Sequence, residues 1–191
     1  MFIVAIEGID GAGKTTIANL LKDHIQSTRK DKKVILTQEP FTKEITDLIA
    51  RTEWKDPITL ALLFTADRAY HLNWIKSQNP DIVILDRYYY STIAYQSALG
   101  LDKEWIMCIN SKFPKPDITI LLDVDPKVSI RRIREKDLFN FEEKVKSLEK
   151  VRNIYLELAK TEKNFYVIDT TYSGINEVIK RVIEIVDPLI P

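Results

Sequence analysis

One cysteine in 191 residues is too few for an internal disulfide, and Cys108 therefore suits a reducing, cytoplasmic setting. Net charge is lacking too. Lys+Arg and Asp+Glu both number 28, so no overall positive field exists to hold a polyanion, and nucleic acid is not expected as a main partner. A local basic patch would still serve a small acidic ligand. No apolar run approaches the roughly 18 residues of a membrane span, so no membrane association is expected. The N-terminal segment has neither the basic region nor the small-residue cleavage site of a secretory signal. Internal repeats, low-complexity tracts and linker-like stretches are also missing. The chain, 45% hydrophobic, reads as one α/β domain over residues 1–191.

Short apolar, β-branched runs occur at Phe2–Glu7, Lys33–Thr37, Ile82–Asp86, Ile118–Val124 and Asn164–Ile168. Each is followed by a polar turn and a longer amphipathic stretch. The alternation predicts a five-stranded parallel sheet with helices on both faces, and strands such as "DIVILD" and "ITILLDV", with little polar alternation, should be buried on both sides. Ligands bind such sheets at the carboxyl ends of the strands. Between the second and third runs, Asp56 is placed to cap a long helix with Pro57 at its first position.

The first strand runs into Gly8-Ile9-Asp10-Gly11-Ala12-Gly13-Lys14-Thr15-Thr16, which fits the spacing of a phosphate-binding P-loop. Glycines permit the positive φ angles that turn backbone N–H groups toward a phosphate, and the helix beginning near Lys14 adds its N-terminal dipole. Lys14 would reach the β- and γ-phosphates of ATP. The Thr15 hydroxyl would ligate Mg²⁺. The strand before the loop and the helix after it argue against an ordinary glycine turn, and they predict a three-layer fold of the P-loop NTPase type.

Other residues fall in places where chemistry is done. Asp86 and Arg87 lie where "IVILD" ends; a carboxylate there can hold the water shell of a metal, and an arginine fork suits a monophosphate. The same pair also fits a helix cap or an ion pair. Phe64 and Arg68, four residues apart, share one helix face, so that a ring can stack on a base while the guanidinium donates to its carbonyl edge. Spacing alone favours Phe64 in the core and Arg68 paired with a surface acid. Ser91 with Tyr95, and Thr92 with Gln96, form two neighbouring one-turn stripes. Asp10 is either a turn-forming residue or a working carboxylate.

"GIDGAGKTT", "QEP" (Gln38, Glu39, Pro40), "LLFTADR" (Leu62–Arg68) and "DRYYYSTIAYQ" (Asp86–Gln96), in this order and spacing, resemble the thymidylate kinases among the nucleoside monophosphate kinases. The resemblance covers almost the whole chain. It implies transfer of the γ-phosphoryl of ATP to dTMP with Mg²⁺, giving dTDP and ADP for dTTP synthesis, in a homodimer. It also implies that Glu39, Pro40, Phe64, Arg68, Arg87, Ser91, Thr92, Tyr95 and Gln96 bind dTMP, with Tyr95 against the deoxyribose and Thr92 facing the base. Asp10 would contact the acceptor and help order the metal, while Tyr88, Tyr89 and Tyr90 would serve packing. Gln38 stands where the family carries arginine.

A basic run, "SIRRIREKD", resembles the family's lid, expected here near 129–142. Arg131 and Arg134 would face the phosphates as catalytic cations beside Lys14 and Arg87, with Arg132 and Lys136 toward water. A solvated charged face is the plain alternative. After the lid the family carries Asp-Arg-x-Glu; here the residues are Phe139, Asn140, Phe141 and Glu142, and only the glutamate is kept. Two rivals remain at this level. A deoxynucleoside kinase would need a carboxylate base such as Glu39. A nucleotide-dependent switch would need guanine-selective loops, and none is evident.

Overall fold

The structure, a computed structural model, describes residues 1–51, 56–133 and 141–191. Its elements follow as β1 (Phe2–Glu7), α1 (Lys14–Thr28), β2 (Val34–Gln38), α2 (Lys43–Arg51), α3 (Pro57–Gln78), β3 (Ile82–Asp86), α4 (Tyr89–Ala98), α5 (Lys103–Asn110), β4 (Ile118–Asp123), α6 (Pro126–Ile133), α7 (Phe141–Thr161), β5 (Phe165–Asp169) and α8 (Ile175–Val186). The five strands form one parallel sheet in the order β2-β3-β1-β4-β5. Each expected strand is present to within a residue at either end.

Burial explains why these strands were legible. Every residue of β3 and β4 is buried, as is β1 beyond Phe2, whereas the edge strands β2 and β5 are only partly covered. Helices lie on both faces of the sheet; α1 packs against α8, while α4 packs against both α3 and α7. The core joins Ile6, Ile84 and Ile120 of the central strands to Leu21 and Ile25 of α1 and to Tyr155 and Leu158 of α7. Parallel register aligns the strand ends: Ile6 and Gln38 both stand opposite Asp86, so β1, β2 and β3 open at one edge.

Asp56 caps α3 as expected, accepting from the Thr59 amide at 2.7 Å, with Pro57 in the first turn. Two helices, α2 and α5, were not read from the sequence. Each is shorter than ten residues, too short for a helical repeat to declare itself. The one local signal for α5 is its cap, Asp102, which accepts from the Trp105 amide at 3.2 Å. Of the expected lid, the first part is the end of α6 and the last part opens α7. Arg134, Lys136, Phe139 and Asn140 lie outside the described residues, as do the side chains of Phe141 and Glu142.

Candidate active site

The loop between β1 and α1 turns on three glycines with φ of +144° (Gly8), +74° (Gly11) and +94° (Gly13). At Gly11 the reason is steric as well as conformational, since a Cβ there would lie 2.5 Å from the Ser129 carbonyl oxygen. The side chains of Ile9 and Ala12 point into the core and fix the loop from behind. Lys14 is buried, and its Nζ donates to the Ile9 carbonyl at 2.9 Å. Burial, reinforced by the nearby Arg87 cation, brings its ammonium down to about 8. Thr15 and Thr16 are exposed at the start of the helix, and the Thr15 hydroxyl donates to Asp86 Oδ2 at 2.5 Å. Together with Asp10 and Gln38 these groups line a cavity of about 400 Å³.

A second cavity, of about 320 Å³, adjoins the first and shares Glu39 and Arg87 with it. Around it the structure gathers Glu39, Pro40, Phe64, Arg68, Arg87, Ser91, Thr92, Tyr95 and Gln96. Arg68 is not a free hand reaching inward. Its guanidinium is buried, with Nε donating to Glu39 at 2.9 Å, Nη1 to Asn110 at 2.6 Å, and Nη2 to Thr92 at 3.1 Å and Glu39 at 2.6 Å. Arg68 is thus paired with an acid, as the plainer reading of its spacing has it, though Glu39 is buried and not on the surface, and Arg68 also lines the cavity. The loop after β2 is held by Asp67, whose carboxylate accepts the Phe41 and Thr42 amides at 2.7 and 2.6 Å. Thr92 and Gln96 are buried, and among the described residues Gln96 Oε1 has no hydrogen-bond partner.

Arg87 stands between the two cavities with a positive φ of 72°. Its guanidinium pairs with the Asp10 carboxylate, donates to Ser91 Oγ at 3.3 Å, and lies 5.4 Å from the centre of the Tyr95 ring. The Tyr95 hydroxyl accepts from the Asp10 amide at 3.2 Å, which ties the phosphate loop to α4. Tyr88, Tyr89 and Tyr90 pack as a tilted series of rings with Phe165 beyond them, although Tyr88 also touches the second cavity.

A family model described as thymidylate kinase matches residues 6–182. The chain is 57% identical over 185 residues to a probable thymidylate kinase 1 of Saccharolobus solfataricus, with 96% of each chain covered. Against a probable thymidylate kinase of Sulfurisphaera tokodaii it is 54% identical over 187 residues, covering 98% of this chain and 96% of the relative. The crystal structure of a thymidylate kinase from Ehrlichia chaffeensis superposes with a TM-score of 0.79 at 29% identity, covering 97% and 98% of the two chains. The chain belongs to the thymidylate kinase family. It is accordingly a phosphotransferase.

In this kinase the basic stripe does not divide as its spacing suggests. Arg131 is exposed near the end of α6, but Arg132, expected to face water, donates to the carbonyls of Thr170 and Thr171 at 2.6 and 3.0 Å. The cause is α6 itself, which lies against the P-loop: Ser129 donates to the Asp10 carbonyl, and Gly11 fits under the Ser129 backbone. That placement swings Arg132 over a third cavity, of about 450 Å³, between the P-loop and the start of α8.

Four residues of the site were not read from the sequence. Glu7 is fully buried at the end of β1, Tyr155 and Arg152 come from α7, and Asn110 ends α5. Arg152 grips Asp123 with two bonds of 2.6 and 2.7 Å, fastening α7 to the end of β4. Only Glu7 left a trace in the sequence, as a charged residue closing an apolar strand.

Proposed function

We propose that this kinase moves the γ-phosphoryl of ATP to dTMP across the junction between the two adjoining cavities. The observation that carries the reading is that junction: a phosphate-loop cavity and a largely apolar one, with Phe64, Tyr88 and Tyr95 on its wall, meet at Arg87. The backbone of Gly8, Ile9, Asp10, Gly11, Ala12 and Gly13, with Lys14, Thr15 and Thr16, holds the donor phosphates. The third cavity, under Arg132, takes the donor's base. On the acceptor side Phe64 stacks on the thymine, and Arg68, Thr92 and Gln96 meet its polar edge. Tyr95 occupies the space beside the sugar, Arg87 holds the monophosphate, and Ser91 backs Arg87 from the cavity wall. Glu39 and Pro40 shape the wall between the two substrates.

Mg²⁺ fits the donor set on the phosphate side, where the Thr15 hydroxyl and the Asp86 carboxylate present hard oxygens side by side. Bound there, it would neutralise charge on the transferring phosphates. The chain's own residues do the rest by position. Lys14 and Arg87, which both line the phosphate cavity, meet the developing charge, Asp10 orients Arg87, and Arg131 and Arg134 supply further cations from the lid.

No general base is required, because a monophosphate is already an oxyanion. Glu39, the base a nucleoside kinase would need, has its oxygens occupied by Arg68 and by His71, the latter at 3.4 Å. The decisive experiment is ADP release under ATP and MgCl₂ with dTMP, dUMP, dCMP, thymidine or no acceptor. Turnover with dTMP well above dCMP, and none with thymidine, is expected; turnover with thymidine equal to that with dTMP would overturn the reading.

The assembly we infer is a homodimer paired through α3, whose outer face exposes Ile58, Leu62 and Tyr70. No helix among the described residues is long and apolar enough to cross a membrane. The lone, exposed Cys108 supports a reducing cytoplasm as the place of work.

A further inference from the structure

Behind Arg87 lies a polar cluster whose fully buried members, Glu7 and Tyr155, take no part in the transfer as described. Glu7 Oε1 accepts the Tyr88 amide at 2.9 Å, while Glu7 Oε2 accepts the Ser91 hydroxyl at 2.6 Å and the Tyr155 hydroxyl at 2.9 Å. Three donors therefore converge on one carboxylate. Ser91 and Tyr155 are themselves 2.9 Å apart, and Arg87 donates to Ser91 from the other side. Glu7 and Tyr155 are fully buried, and for the ionised Glu7 that the three donors favour, the count of hydrogens sets the direction of each bond. A serine hydroxyl has one hydrogen, and Glu7 takes it. Toward Arg87, Ser91 can then only accept, which is what a guanidinium requires.

We propose that Glu7 and Tyr155 are positioning residues that, through Ser91, hold Arg87 in the pose that grips the acceptor phosphate. The proposal rests on the acceptor-side reading of Arg87 given above. Arg87 needs such support because its backbone is in the left-handed region, unfavourable for a residue with a side chain, and its other anchor, Asp10, is half exposed on a glycine loop. Tyr155 also brings in α7. Ser147, Val151 and Tyr155 recur every four residues along that helix, the first two on the wall of the acceptor cavity and the third on Glu7. One stripe of α7 thus reaches from the substrate to the carboxylate behind Arg87.

Glu7→Gln tests the polarity of the cluster with almost no change in shape. Because the Tyr88 amide must keep an acceptor, the new amide group falls where Oε2 was and donates to hydroxyls that formerly donated to it. Ser91 and Tyr155 then have two hydroxyl hydrogens and one mutual bond to place them in, so either Tyr155 is left with a stranded hydrogen or Ser91 turns its own away from Glu7, and the fixed acceptor that Arg87 met is lost. The expected result is a loss in kcat/KM for dTMP of about ten- to a hundredfold, the range seen when a supporting hydrogen bond is removed, with KM for ATP within about twofold. Tyr155→Phe removes one donor and should cost less in the same parameter. Tyr90→Phe, which removes a hydroxyl bonded to Glu162 just past the end of α7, is the structural control and should leave both KM values unchanged.

Arg87→Ala separates the two layers of the argument. Combined with Arg87→Ala, both Glu7→Gln and Tyr155→Phe should lose most of their effect on kcat/KM for dTMP. Full additivity, or wild-type dTMP kinetics in Glu7→Gln and Tyr155→Phe, overturns the positioning role while the acceptor reading stands. Should Glu7→Gln fail to fold, Tyr155→Phe alone and on Arg87→Ala decides by the same criteria. An Arg87→Ala enzyme with unchanged kcat/KM for dTMP overturns the acceptor reading and the proposal with it.

Discussion

Glu39→Gln removes one charge from a buried pair and leaves its shape. In the native fold the carboxylate meets the buried Arg68 guanidinium at 2.6 and 2.9 Å and the His71 ring at 3.4 Å. Breaking a buried ion pair by removing one partner costs about 3–5 kcal/mol, because the remaining charge is stranded. Glutamine keeps an amide oxygen able to accept from Nε, so the lower end, about 3 kcal/mol, is expected. For a chain of this size that corresponds to a fall in Tm of roughly 6–12 °C. Arg68 would also lose its fixed orientation in the acceptor cavity, so KM for dTMP should rise about tenfold while KM for ATP stays within about twofold. Differential scanning calorimetry and steady-state kinetics on the same preparation measure both. If Tm is unchanged and kcat falls by three orders of magnitude with KM for dTMP unaltered, Glu39 acts on the reaction itself and the anchoring argument is wrong.

Lys14 titrates from about 8 in the fold, against 10.5 when unperturbed, so between those values the unfolded chain holds a proton that the fold does not. Stability of the nucleotide-free protein should therefore rise as pH climbs through that window, while ATP affinity, which needs the charged form, should fall above pH 8 by up to about tenfold per pH unit. Calorimetric titrations from pH 7 to 9.5 check this, and flat affinity would refute it. Tyr95→Ala should narrow the preference for deoxyribose over ribose acceptors by about tenfold, since it opens the wall beside the proposed sugar. Tyr95→Phe, which keeps the ring, should change that preference little; if kcat/KM ratios for dTMP and its ribose analogue are unchanged in both variants, Tyr95 is a packing residue. Arg131→Ala should lower single-turnover rates about a hundredfold with little effect on either Kd, and a loss of less than about threefold would make Arg131 a solvated charge.

What could be read in advance was whatever the chain writes locally. A doubly buried parallel strand is a contiguous apolar run, and a phosphate loop is a fixed pattern of glycines, so β1, β3, β4 and Gly8–Thr16 were evident by inspection. Roles that depend on distant partners were not. Glu7 and Tyr155 are 148 positions apart, and nothing around Tyr155 marks it as different from Tyr166. Asn110 ends a helix too short to show a face, yet its side chain steadies the arginine of the acceptor cavity. Arg132 was misjudged for the same reason. Its helical spacing is as expected, but the surface it meets is made by the residues after β5.

The contact between Gly11 and Ser129 limits how this kinase can change. With α6 seated where it is, position 11 has no room for any side chain, so the phosphate loop is closed to a cation of its own at that point. A sequence that acquired an arginine there would first have to lift α6, and lifting α6 would carry Arg131 and Arg132 away with it. If Arg131 acts as proposed, a cation in the loop and one from the lid would be competing suppliers of the same positive charge. Substitutions at the two places should be inherited together, and a graft of either one alone into this chain should fail.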